Sequence, residues 1–141
     1  MKSILVAVLV VFAAVSSAAA DGALPSEKMA LDVIQWVRHG NEKFRGKYAD
    51  QALFAKKKEF VLYGKVFAQM AKDGKLPKGY TVVADKDLKD IDWKVTGLIS
   101  ILDGSPDGGF EVHASLGPLG MCAYTITPDE NGYRVRSTGG S

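Results

Sequence analysis

Between Tyr48 and Gly74 the apolar side chains recur at helical spacing. At about 100° per residue, Leu53, Phe60, Phe67 and Ala71 fall on one line, and Phe54, Val61, Tyr63 and Met70 widen the face on either side. The spacing predicts one long amphipathic helix, ended by Asp73-Gly74 and kept from restarting by Pro77. Lys58, Lys65 and Lys72 recur every seven residues on its flank. Seven residues drift by only about 20° on a straight helix, so the three lysines would form a nearly axial row. A shorter stripe of Met29, Val33, Trp36, Val37 and Phe44 predicts an earlier helix behind Pro25-Ser26, with Ser26 as N-cap and Glu27 in the first turn. That helix ends either at His39, where Arg38 and His39 suit the negative end of the dipole, or at Arg45 before Gly46.

From Gly79 the period shortens to two. Tyr80 to Ala84 reads as a short strand, followed by an acidic, lysine-studded connection from Asp85 to Asp92. Trp93 to Leu102 places Trp93, Val95, Gly97, Ile99 and Ile101 on one face and Leu98 and Leu102 on the other, and Phe110, Val112, Ala114 and Leu116 alternate beyond a turn at Asp103 to Gly109. Gly117 to Gly120 turns the chain again, and Met121 to Thr127 makes a further strand. Asn131-Gly132 is a strong hairpin signal; Tyr133 to Arg136 closes the sheet, with Ser137 to Ser141 expected to fray.

Helices followed by consecutive strands make an α+β order. The expected architecture is two N-terminal amphipathic helices, then a four- or five-stranded antiparallel meander packed on the long helix. This order is similar to that of cystatin-like folds, the curved sheets of the NTF2-like group and type IV pilin heads. The Gly, Phe and downstream Glu of pilin processing are absent around Met1 to Val15, and no family is assigned.

The N-terminus adds a compartment. Met1-Lys2, an apolar run from Ile4 to Val15 and the small residues Ala18 and Ala20 form a signal-peptide pattern, cleaved after Ala20. The run is shorter than the roughly 20 apolar residues that span a bilayer, so no membrane span is expected after cleavage. Residues 21–141 then form a single domain. Cys122 is the only cysteine, so no intramolecular disulfide forms, and a bacterial periplasmic or secreted setting is expected.

The 18 basic and 16 acidic side chains nearly cancel, but they are not mixed evenly. Lys43 to Lys78 carries ten basic residues against Asp50, Glu59 and Asp73, whereas Asp85 to Glu130 carries nine acidic residues against Lys86, Lys89 and Lys94. A basic helix face at Lys58, Lys65 and Lys72 would suit an anionic envelope component or an acidic protein. No aromatic-rich motif accompanies the lysines, so nucleic acid is not expected.

Motifs for catalysis are lacking. No G-x-S-x-G, phosphate loop, zinc or dinucleotide fingerprint occurs, and no metal or cofactor is expected. His39 and His113 are the only imidazoles, neither within a supporting motif. Cys122 shares a strand face with Tyr124 and Ile126, as a small buried hydrophobe would. Asp103, Ser105 and Asp107 with Gly108 imitate the first half of a calcium loop, but Ala114 stands where a bidentate carboxylate belongs. The sequence therefore points to an exported α+β domain that acts by binding or assembly. The alternative is an NTF2-like or cystatin-like pocket that takes a small ligand or acts as a small enzyme.

Overall fold

The computed structural model describes residues 24–45, 54, 56–102 and 109–140. Helix α1 spans Glu27–His39, and Ser26 caps it by accepting the Met29 N–H at 3.0 Å. The helix stops at its first predicted end, where the Gly40 N–H donates to the Trp36 carbonyl at 3.0 Å. Phe44–Arg45, the possible extension, instead forms the short strand β1. Met29, Ala30, Val33, Trp36 and Val37 are buried, so the predicted stripe is the one the helix hides.

The long helix over residues 48–74 is not formed. Among the described residues from 56 to 74, Glu59–Tyr63 is strand β2 and Lys65–Lys72 is helical, as α2. The reason lies in the residues themselves: Phe60 and Leu62 are buried while Glu59 is exposed and Val61 and Tyr63 are partly covered, the period-two alternation of a strand. Phe60 and Phe67 fit a helical line equally well, but Gly64 stands between them with φ 127°. This is a conformation that breaks any helix and that side chains rarely adopt. Residues 48–53 and 55 of the expected helix lie outside the described residues.

The remaining strands are β3 (Tyr80–Val82), β4 (Thr96–Ile101), β5 (Phe110–Ser115), β6 (Met121–Asp129) and β7 (Gly132–Gly140). They join one seven-stranded mixed sheet in the order β1-β7-β6-β5-β4-β2-β3. The expected antiparallel meander exists from β4 to β7, but β3, β2 and β4 run parallel, as do β1 and β7. Parallel neighbours require a crossover, and α2 supplies it between β2 and β3. Instead of fraying, residues 137–140 extend β7, with Gly140 paired to Cys122 across an irregularity at Ala123/Tyr124.

Residues in register share a face, so Leu62, Ile99 and Ala114 line up inward, as do Ile101, Val112 and Tyr124. They form one core cluster with Met29, Val33 and Trp36 of α1 and Phe67 and Met70 of α2. Trp36 stacks on Phe44 at 5.0 Å and meets Tyr124 edge-on at 5.1 Å. Phe44 in turn stacks on Tyr133 at 4.4 Å, so the two-residue β1 is held by aromatic contacts as much as by its ladder. At the other edge, Arg38 donates to the Tyr80 hydroxyl at 2.8 Å and lies 4.5 Å from the Phe60 ring centre. It thereby ties the short edge strand β3 to α1.

Candidate functional site

Three parallel strands end together. Val82 of β3 is level with Leu62 of β2, and Leu62 is level with Ile99 of β4. The Val83 N–H closes the last rung, donating to the Leu62 carbonyl at 2.9 Å. Beyond these carboxyl ends, where open sheets with parallel strands characteristically hold ligands, lies a cleft of about 760 Å³. Tyr63, Gly64, Lys65 and Ala68 form one wall, Val82 to Asp85 the second, and Ile101 with Leu102 the third.

Gly64 makes this geometry possible. A Cβ on it would lie 2.5 Å from the Ile101 carbonyl oxygen, so the β2–α2 junction can press against the end of β4 only without a side chain. Ala68, Val82, Val83, Ala84, Ile101 and Leu102 make most of the lining apolar. Polar groups gather at one end. The Tyr63 hydroxyl donates to Asp85 Oδ1, and this hydrogen bond, aided by the carboxylate's charge, raises the pKa of the phenol. Tyr63 is the donor of this pair, and the second Asp85 oxygen can accept from another donor.

The three lysines singled out by spacing are not carried on one helix. Lys65 lies in the first turn of α2 beside the cleft, and Lys72 in its last turn. Lys58 precedes β2 and donates its N–H to the Val95 carbonyl at 3.0 Å, a strand length of about 16 Å away from Lys65. Lys57, from the same basic run, is buried, and its Nζ donates to the Trp93 carbonyl at 2.7 Å.

The two imidazoles lie elsewhere. His39 is exposed at the end of α1, and His113 Nε2 lies 2.6 Å from Glu111 Oε2 on the sheet face opposite the core. Cys122 is half-buried against the core. Among the described residues no group of three His, Cys, Asp or Glu side chains could hold a metal ion. The calcium-like segment falls largely on residues 103–108, outside the described residues.

A second polar cluster ties α1 to β7. Asp32 Oδ2 accepts from the Tyr133 hydroxyl at 2.7 Å and from Lys28 Nζ at 3.1 Å, with Lys43 Nζ at 4.0 Å. Burial and then the bond to Asp32 push the Tyr133 phenol up to about 12. A raised folded pKa means that the tie is intact below the ordinary phenol value near 10 and is lost as pH climbs towards 12. The cluster therefore serves as a brace at neutral pH.

Comparison with protein-family models, curated proteins and solved structures finds no match, so the chain is assigned to no family.

Proposed function

We propose that the protein is a binding domain that holds a small molecule in the cleft beyond β3, β2 and β4. One observation carries this reading: a concavity of about 760 Å³, apolar over most of its lining and polar at one end. Ligand pockets commonly measure about 300 to 1,000 Å³ and combine this kind of lining with a few placed polar groups. The ligand class follows from the walls. It has an apolar body and a hydroxyl or amine that donates to Asp85 beside the Tyr63 hydroxyl. Binding is favoured over catalysis because both imidazoles and Cys122 lie away from the cleft.

N-phenyl-1-naphthylamine, an apolar amine whose fluorescence rises out of water, tests the site. The expected result is a saturable rise with the wild type. Ala68→Trp, at an exposed position of α2 on the cleft wall, should weaken binding by about tenfold or more with the circular dichroism unchanged. A linear, non-saturating signal from the wild type contradicts the proposal, as does equal affinity in the variant.

Export remains part of this reading, on the strength of the Ile4 to Ala20 pattern alone. The intact mass of secreted protein should correspond to a chain beginning at Asp21. Secreted protein that retains residues 1 to 20 would refute the cleavage.

A further inference from the structure

A cluster of positive charge lies away from both the cleft and the predicted lysine row. It lies where β1 ends against β7. Arg45 pairs in register with Arg134, Arg134 with Thr127, and Arg136 with Thr125, so all five side chains stand on the sheet face away from the core. With Val135 they line an open groove of about 600 Å³. Adjacent strands are about 4.8 Å apart and alternate residues about 7 Å along a strand, so three guanidinium groups crowd a small area.

Like charges directly opposite each other destabilise a sheet unless something compensates them. Asp129 does so in part: its Oδ2 pairs with Arg45 and lies 3.7 Å from Arg134 Nε. The Asn131 N–H first, and then the two guanidinium groups, hold its carboxyl below the usual carboxylate range. Glu111, level with Thr125 on the neighbouring strand, faces His113 at 2.6 Å. Arg136 has no ion-pair partner among the described residues, and the groove keeps three guanidinium groups against one committed carboxylate.

We propose that this groove binds a phosphate-type oxyanion, independently of the ligand held in the cleft. A dianion matches the two uncompensated charges. Its tetrahedral oxygens can accept from donors that are not coplanar, namely two guanidinium groups on neighbouring strands, a third further along β7, and the Thr125 and Thr127 hydroxyls. The same chemistry is offered by free phosphate and by a phosphomonoester headgroup, and the two sources separate experimentally.

The test is calorimetric titration of the purified protein with inorganic phosphate at low salt and near-neutral pH, with sodium acetate as the comparison anion. Saturable phosphate binding is expected, together with at least about tenfold weaker binding in the double variant Arg134→Gln/Arg136→Gln. Both arginines are exposed, so the variant should keep the wild-type denaturation midpoint. Lys72→Gln, outside the groove, should bind as wild type does. Co-sedimentation with phosphatidic acid vesicles, but not with phosphatidylcholine vesicles, assigns the phosphate to a headgroup; phosphate binding without co-sedimentation assigns it to a free ion. Absence of saturable phosphate binding overturns the proposal, as does equal affinity in the double variant or an equal affinity for acetate.

Discussion

Replacing Gly64 with alanine is expected to destabilise the protein by about 2 to 6 kcal/mol. Two costs combine. Alanine at φ 127° is held in a conformation natural to glycine, at about 1 to 3 kcal/mol. Its Cβ would lie 2.5 Å from the Ile101 carbonyl oxygen, a backbone atom that cannot rotate away, so β2 and β4 must move apart at a cost typical of overpacking, about 1 to 3 kcal/mol. Against a usual total stability of about 5 to 15 kcal/mol, this is a large fraction. Gly74 is the internal control. Its φ is 69° but nothing lies within 4 Å of the added Cβ, so Gly74→Ala should cost only the left-handed penalty of about 1 to 2 kcal/mol. Urea titrations followed by circular dichroism rank the two, and equal midpoints would mean that the β2–α2 junction is not pressed against β4.

The second large effect is in the core. Phe67 is fully buried between α2 and the sheet, so Phe67→Ala should cost about 3 to 5 kcal/mol, the lost transfer energy plus an incompletely collapsed cavity. Lys72→Ala, one turn and a half further along and exposed, should change stability by about 0.5 kcal/mol or less. Similar losses in the two would show that α2 buries a different face.

Where the sequence carries local marks, the structure follows it. Ser26 caps α1, the turn residues of Gly117 to Gly120 and Asn131-Gly132 bound their strands, and the inward alternation of Ile99, Ile101, Val112 and Ala114 is the alternation of the letters. The helical pattern of residues 56–74 is broken for a specific reason. Phe60 and Phe67 satisfy a helical line while Phe60 and Leu62 satisfy a strand, and only Gly64 distinguishes the two. A glycine inside an otherwise helical pattern was the available signal.

Parallel pairing left no such mark. Glu59 meets Thr96 in register, and nothing near either residue specifies the other. The cleft shares this property, because Tyr63 and Asp85 come together only once α2 has returned the chain from β2 to β3. The arginine groove does too: Arg45 and Arg134 lie far apart in the sequence, and periodicity within one segment finds rows such as Lys58, Lys65 and Lys72 but not clusters assembled across strands.

Occupation of the space beyond the carboxyl ends of β3, β2 and β4 by a ligand is the proposed basis of function. Its most direct test is an amide chemical-shift titration of the isotope-labelled protein with N-phenyl-1-naphthylamine. Saturable shifts that share one dissociation constant are expected at Gly64, Lys65, Val83, Ala84 and Asp85, with the amides of Arg134 and Arg136 unmoved. Shifts centred on another face, or scattered without saturation, would contradict it.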